Sequence, residues 1–448
     1  MSCRVAFMTL GCKVNQYETE KLQEQFETAG YLIVPYEEEA DIYIVNTCTV
    51  TNIADRKSRK MLRRGARHIG AMVVAMGCFA DAAGEKLLSD KDIDVVIGNE
   101  KKENAFAIIE EAYNQKTISS TLICAANAAD IDNTTNNAET CLSQERTRTY
   151  INIQTGCNQF CSYCKIPYVR GKLKSRDAKD VVCEARLLAG KGYKEIVLTG
   201  IHLSSYGVDK SECKHFTELN GEPLYELVRE ISEIEGIERI RLGSLEPRIM
   251  TEGFVSKLSS EKKVCPHFHL SLQSGCDETL GRMNRKYTTA EYKNACDILR
   301  KYYDNPAITT DIIVGFPGET EEEFETTLSY VKEIGFSAVH VFKYSIRTGT
   351  KAALMSGHIP EQIKTERSHK LIELCDSLSK EYMEHFLGEE ILCLVEECVD
   401  IDGEMYWVGH NERYVKLGFK YREGDDFHNK IIQIIPCAIE NNILIYNR

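Results

Sequence analysis

Three cysteines within eight residues constrain this chain more than any other feature: Cys157, Cys161 and Cys164, in the run Gly156-Cys157-Asn158-Gln159-Phe160-Cys161-Ser162-Tyr163-Cys164. The spacing is Cys-x3-Cys-x2-Cys, directly after a strand-like stretch, Tyr150 to Gln154. Three thiolates on one short loop can hold three irons of a four-iron, four-sulfur cluster and leave the fourth iron without a protein ligand. An open iron on a thiolate-bound cluster is a place for a small molecule to bind. A structural zinc site would call for a fourth Cys or His at matching spacing. The next candidates, Cys183 and His202, lie well downstream. Three incidental loop cysteines are the alternative.

Residues 1–115 alternate strand-like and helical stretches. Arg4–Leu10, Asp41–Val45, Met72–Ala75 and Asp94–Ile97 read as strands, and Tyr17–Ala29 and Asp55–His68 as helices. That alternation predicts an open parallel sheet, whose ligands bind at the carboxyl ends of the strands. Cys12, Cys48 and Cys78 each fall just past such an end. Parallel strands carry these ends to one edge, so three thiols far apart in sequence should converge and could hold a second cluster with an open iron. The alternative is three buried cysteines that act as small apolar side chains.

The chain has eighteen cysteines in 448 residues and no signal-peptide layout. Metal-ligating thiols in a cytoplasmic protein fit this better than a secreted disulfide scaffold. No apolar run approaches the ~20 residues that cross a bilayer, so no membrane partner is expected. A net charge of −13 argues against wholesale nucleic-acid binding but leaves room for a local basic surface. The helix Asp55–His68 is one, with Arg56, Lys57, Arg59, Lys60, Arg63, Arg64 and Arg67. It reads either as a phosphate-contacting face or as a solvated one. Residues 116–146 read as a linker, and Cys124 and Cys141 within it lack metal spacing.

From 147 to 360 the pattern resumes with six strand-like runs: Tyr150–Gln154, Glu195–Leu198, Arg239–Leu242, His267–Leu272, Ile308–Val314 and Ala338–Tyr344. Helical stretches separate them, which predicts a partial (β/α)6 barrel with its site at the carboxyl ends of the strands. A connecting helix is expected over 361–387 and a small antiparallel β-barrel over 388–448. The whole is an α/β chain with an N-terminal open parallel-sheet domain, a central partial barrel and a terminal all-β module. Such modules bind oligonucleotides. In Gly409-His410-Asn411-Glu412-Arg413-Tyr414, His410 and Arg413 stand beside an aromatic ring, a combination suited to unpaired RNA. A purely structural module is the alternative.

Cys157, Cys161 and Cys164 match the signature of the radical S-adenosylmethionine enzymes. With Cys12, Cys48 and Cys78 ahead of them and a β module of the TRAM type behind, nearly the whole chain resembles the methylthiotransferases. Further matches are Leu198-Thr199-Gly200, Gly315-Phe316-Pro317-Gly318-Glu319 and Tyr344-Ser345-Ile346-Arg347-Thr348-Gly349-Thr350. The resemblance implies two 4Fe–4S clusters and S-adenosylmethionine. The open iron at Cys157, Cys161 and Cys164 would chelate S-adenosylmethionine and cleave it to a 5′-deoxyadenosyl radical. Tyr163 would sit near its adenine, with Gly200, Ser244, Gln273 and Gly315 along its path. Sulfur would come from the auxiliary cluster at Cys12, Cys48 and Cys78, and no side chain is implied as a conventional acid or base. Gly11-Cys12-Lys13-Val14-Asn15-Gln16-Tyr17-Glu18 is similar to the branch that acts on carbon 2 of threonylcarbamoyladenosine beside the tRNA anticodon. Other branches act on isopentenyladenosine in tRNA or on a ribosomal protein. The implied partners are the tRNA anticodon loop, contacted by Arg56, Arg59, Arg63, Arg64, His410 and Arg413, an electron donor and a sulfur source. The rival from another class is a non-catalytic iron–sulfur RNA-binding or redox-sensing protein, which would not cleave S-adenosylmethionine.

Overall fold

In the computed structural model, residues 3–116, 147–210, 219 and 221–446 are described. The expected linker beyond Lys116, with Cys124 and Cys141, lies outside the described residues. The described chain forms two compact units. The first takes the described residues up to Lys116 together with Cys164–Lys172 and Ser345–Thr350, and the second takes the other described residues.

The first unit is built on a parallel sheet of β1 (Arg4–Thr9), β2 (Leu32–Val34), β3 (Ile42–Thr47), β4 (Met72–Gly77) and β5 (Val95–Ile97), in the order β2-β1-β3-β4-β5. All four ladders are parallel. β3 and β4 are buried at every position, as expected of strands covered on both faces. The helix α1 (Lys13–Thr28) puts Leu22 and Phe26 against Val5, Ile42, Ile44 and Val74 on one face. The helix α2 (Asn52–Gly65) puts Leu62 against Tyr43, Val45 and Val73 on the other. α2 starts earlier than the sequence pattern indicates because Thr51 caps it: its Oγ1 accepts from the Ala54 N–H at 3.1 Å. β2 was not expected from the sequence. At three residues on a sheet edge it is too short to show a period.

In the second unit β6 (Arg148–Thr155), β8 (Glu195–Gly200) and β9 (Arg239–Leu242) run parallel, and the two-residue β7 (Lys174–Ser175) pairs antiparallel with the edge of β6. β10 (His267–His269), β11 (Ala307–Val314) and β12 (Ala338–Lys343) form a second parallel set. Parallel bridges from Ile240 to Val264 and from Leu245 to Leu270 link the two sets. The result is the expected partial barrel of six parallel strands in sequence order. The fourth strand is shorter than expected, and beyond it Gln273 takes a left-handed backbone, φ +76°.

The helix Glu361–Glu384 leads to a six-stranded sheet: β13 (Ile391–Ile401), β14 (Glu404–His410), β15 (Lys416–Lys420), β16 (Ile431–Ile434), β17 (Ala438–Glu440) and β18 (Ile443–Tyr446). Their order is β16-β13-β14-β15-β18-β17, and every ladder is antiparallel except β15–β18. Cys393, Val395, Trp407, Leu417, Phe419 and Leu444 fill its core. A buried charge network fastens this module to the barrel strands. Arg241 on β9 donates from Nε to Glu195 on β8 at 2.8 Å and from Nη1 to the Glu412 carbonyl at 2.9 Å. Arg239 donates to the carbonyls of His410 and Leu392, each at 3.1 Å. The guanidinium groups of Arg148 and Arg241 both lie 4.8 Å from the centre of the Tyr414 ring.

Candidate metal centres

Cys12, Cys48 and Cys78 all leave the carboxyl edge of the first sheet, after β1, β3 and β4. Two glycines let the backbones close in. Gly11 has φ +98°, and a Cβ there would lie 2.6 Å from both Cβ and Sγ of Cys48. Gly77 has φ +97°, and its Cβ would lie 2.6 Å from Asn46 Oδ1. Only glycine holds such an angle in so small a space. Cys12 takes the N-cap position of α1. Cys48 is tied to α2 through Ser58, whose hydroxyl donates to the Cys48 carbonyl at 3.2 Å. Cys48 and Cys78 are buried and Cys12 is exposed. Burial, with the neighbouring Cys78 and Cys12 adding to it, pushes the Cys48 thiol up to about 11.

A buried polar network surrounds these thiols inside the first unit. Asn15 donates to the Leu10 carbonyl at 2.7 Å and to the Thr47 carbonyl at 3.0 Å, which fixes the loops after β1 and β3 together. Glu18 pairs with Lys102 and accepts from Arg170 Nη1 at 2.9 Å. Burial alone would raise Glu18, but Lys102 and Arg170 hold it below the usual carboxylate range. Arg170 Nε points to Cys78 Sγ at 3.2 Å. Arg347 donates to Asn52 Oδ1 at 2.7 Å and pairs with Asp55 at 2.9 Å, so the Arg347 motif belongs to the start of α2.

In the second unit the loop of Cys157 and Cys161 is held from several sides. Gln154, at the end of β6, donates to the Gly156 carbonyl at 2.6 Å and accepts from the His202 N–H at 2.8 Å. The Ser162 N–H donates to the Met283 carbonyl at 2.9 Å, and Asn284 donates to the Phe160 carbonyl at 3.0 Å. Phe160 itself has φ +49°. A non-glycine residue in that region marks a loop whose shape is imposed by its surroundings. Arg285 Nη1 lies 3.2 Å from Cys161 Sγ. Burial pushes the Cys157 thiol up to about 11. Cys164 is half-buried and opens the segment that packs in the first unit.

A model described as the Radical SAM superfamily matches residues 151–331, and one described as Uncharacterized protein family UPF0004 matches residues 4–98. The threonylcarbamoyladenosine tRNA methylthiotransferase MtaB of Bacillus subtilis (strain 168) is 39% identical over 435 residues, with 96% of this chain and 93% of that protein covered. The chain belongs to the radical S-adenosylmethionine methylthiotransferase family. Another relative, the tRNA-2-methylthio-N(6)-dimethylallyladenosine synthase of Thermoanaerobacter sp. (strain X514), is 37% identical over 401 residues, with 87% of this chain and 81% of that protein covered. Among solved structures, the radical S-adenosylmethionine methyltransferase TsrM of Kitasatospora setae, with cobalamin and a 4Fe–4S cluster bound, aligns with a TM-score of 0.53 at 16% identity, over 77% of this chain and 75% of that one. At that identity the likeness shows the fold alone.

As a methylthiotransferase the chain is a transferase that uses S-adenosylmethionine and two 4Fe–4S clusters. The donor sets fit such clusters. Thiolates are the donors that iron–sulfur clusters take, and each triad supplies three. The glycine-lined approach at Gly11 and Gly77 and a guanidinium on a sulfur at each site both suit a bulky, anionic group.

The other candidate residues of this methylthiotransferase sit at the carboxyl ends of barrel strands. Tyr163 packs edge-on against Phe316 with ring centres 6.4 Å apart. Gly200 closes β8, where a Cβ would lie 2.9 Å from Gln154 Oε1. Ser244 is exposed just past β9, and Gln273 is buried. The Gly315 N–H donates to Glu319 at 2.6 Å, and Glu319 accepts from Arg367 at 2.7 Å. The sequence pattern does not single out the pairing of His202 with Glu246, at 2.8 Å, on the same edge. Burial alone would raise Glu246, but the bonds from His202 and Arg248 outweigh it and hold the carboxyl at about 2. Its folded value is thus depressed below the ~4.3 of a free Glu, so its contribution to stability is complete above ~4.3 and is lost as pH falls to about 2. Glu246→Gln should therefore flatten the acid limb of a plot of melting temperature against pH in that window. An acid limb identical to the wild type would contradict this.

The RNA candidates divide. Arg56, Arg59 and Arg63 are exposed on α2, and Arg59 also lies 5.2 Å from the centre of the Phe79 ring. Arg64 is half-buried and pairs with Glu37 at 3.4 Å. His410 is hydrogen-bonded to Glu396 at 2.7 Å and stacks on Tyr414 at 4.5 Å, and burial lowers its pKa. Arg413 donates to the carbonyls of Asn305 and Asp304 at 2.9 and 2.8 Å. These last two side chains thus spend their polar groups inside the second unit.

Proposed function

We propose that this chain adds a methylthio group to carbon 2 of N6-threonylcarbamoyladenosine beside the anticodon of tRNA, in the cytoplasm. Two cysteine triads in one chain, each with its own arginine, carry this reading, with support from the full-length likeness to MtaB. Cys157, Cys161 and Cys164 hold the radical cluster, and Cys12, Cys48 and Cys78 hold the auxiliary cluster. When bound, the clusters and S-adenosylmethionine supply the radical, the sulfur and the methyl group. The chain's own residues position them. Gly11 and Gly77 make room at the sheet edge, while Gly200, Ser244, Gln273 and Gly315, with Tyr163, line the cofactor path. Domain roles follow the sequence boundaries: 1–115 for the auxiliary cluster, 147–360 for the radical barrel, 388–448 for a TRAM-like module. An unpaired anticodon-loop base enters such a site without the cost of opening a duplex. An electron donor and a sulfur source complete the cycle.

Reconstituted protein given S-adenosylmethionine, a reductant and tRNA should methylthiolate tRNA carrying threonylcarbamoyladenosine. Nucleoside mass spectrometry reads the product. Product only on tRNA carrying isopentenyladenosine would favour the second reading, which the 37% identical synthase supports. S-adenosylmethionine cleavage without tRNA product of either kind would defeat both.

The exposed face of α2 is the proposed phosphate-binding surface, because it concentrates cations in a chain of net charge −13. Arg56→Glu with Arg63→Glu should weaken tRNA binding. It should also lower the slope of log affinity against log salt by roughly 0.7–0.9 for each phosphate that is no longer neutralised. Binding titrations at several salt concentrations check this. An unchanged slope removes α2 from the RNA surface.

A further inference from the structure

Arg170 lies six residues past Cys164 and is almost wholly enclosed, at 7% exposure. Its donors are aimed by side chains from α1. Nη1 meets Glu18 at 2.9 Å, Nη2 meets Asn15 Oδ1 at 2.6 Å, and Nε is left directed at Cys78 Sγ at 3.2 Å. Asn99 Nδ2 lies 3.8 Å from the same sulfur. Glu18 is shared between two cations, Arg170 and Lys102. The Cys78 sulfur at 3.2 Å lies within reach of the Arg170 Nε–H.

The second triad repeats the device with unrelated residues. Arg285 sits at the turn after the helix Asp277–Arg282, and its Nη1 is 3.2 Å from Cys161 Sγ. Its other donors go to the Tyr287 hydroxyl at 2.9 Å and the Ser271 carbonyl at 3.4 Å. Among the described residues no carboxylate pairs with it. Two triads on different sheets each show a guanidinium N–H on one cysteine sulfur, at the same distance.

We propose that Arg170 and Arg285 are positioning residues that each donate a hydrogen bond to one cluster thiolate, and that they set the reduction potentials of the two clusters separately. The proposal rests on the two-cluster reading above. A donated N–H and a nearby positive charge stabilise the more negative, reduced cluster and so raise its potential. Arg170 is fixed by Asn15 and Glu18, which belong to the loop and helix after Cys12. Loading of one triad is thereby tied to the conformation of the whole sheet edge.

The test is a redox titration of anaerobically reconstituted full-length protein, followed by electron paramagnetic resonance. Each cluster is read in the background where the other triad is Ala. Arg170→Met should shift the auxiliary cluster to a more negative potential by at least a tenfold change in its reduction equilibrium, about 59 mV for a one-electron couple. Arg285→Met should do the same to the radical cluster. Arg170→Lys and Arg285→Lys keep the charge but lose the planar fork, so each should recover part of the shift. Neither arginine should move the other triad's potential. Unchanged potentials at full iron content, or both potentials moving together, would overturn the proposal. Iron loss confined to the matching triad in both the Met and the Lys variants would overturn it in favour of a purely structural arginine. A parent chain that binds no cluster would instead remove the two-cluster reading itself.

Discussion

Changing Cys12, Cys48 and Cys78 together to Ala should abolish methylthio transfer while leaving about four of about eight irons bound. The first triad and the loop of Cys157 and Cys161 are separate in the chain and rest on different supports. The first hangs on the sheet edge of β1, β3 and β4 and on the Asn15 bonds between its loops. The loop of Cys157 and Cys161 hangs on Gln154, Ser162 and the Arg285 turn. Hydrogen bonds from Gln154, from Asn284 and Arg285, and to the Met283 carbonyl hold the second loop. Formation of 5′-deoxyadenosine should therefore survive in the variant, although the sulfur has no site from which to leave. The converse triple variant at Cys157, Cys161 and Cys164 should lose both the cleavage and the product. Iron analysis and product chromatography on both variants check this. Complete loss of cleavage in a well-folded first variant would contradict the division of labour.

Arg241→Ala should destabilise the second unit by about 3–5 kcal/mol. Arg241 and Glu195 both have side chains at 1% exposure. Burial alone would raise Glu195, but Arg241 foremost, with Arg148 and Arg239, holds it ionised. Removing the guanidinium leaves a buried carboxylate with too little compensation and strips the Glu412 and Asn411 carbonyls of a donor. The module of β13–β18 should then loosen from the barrel, visible as new proteolytic cleavage near residues 384–391. Arg241→Met with Glu195→Leu removes both charges and should recover most of the loss. Denaturant unfolding of the three proteins measures it. A change below about 1 kcal/mol in the single variant would mean that water reaches the pair.

Much of this architecture can be read from the chain because its rules are local. Apolar runs that end in Gly-Cys, as at Gly11-Cys12 and Gly77-Cys78, mark strand ends, and parallel order brings those ends together. The six barrel strands show the same rule. What could not be read has a physical cause. β2, β17 and β18 are three or four residues long, too short for a period to stand out. Arg170 and Glu18 are 152 positions apart, and no local pattern pairs them. The available signal was a charged residue just after a cluster motif. His410 and Arg413 look solvent-facing in sequence because polarity does not distinguish water from the polar surface of a neighbouring domain. The arginines of β9 carry the complementary clue: two charges in a strand that must be buried require partners, and these come from Glu195 and the terminal module.

The central claim is methylthiolation of one modified tRNA base. Its most direct test is mass spectrometry of tRNA nucleosides from a strain lacking this gene. The 2-methylthio derivative of threonylcarbamoyladenosine should vanish, its unthiolated precursor should accumulate, and the intact chain should restore the product while the Cys12, Cys48 and Cys78 variant should not. An unchanged level of that nucleoside in the deletion strain would contradict the account.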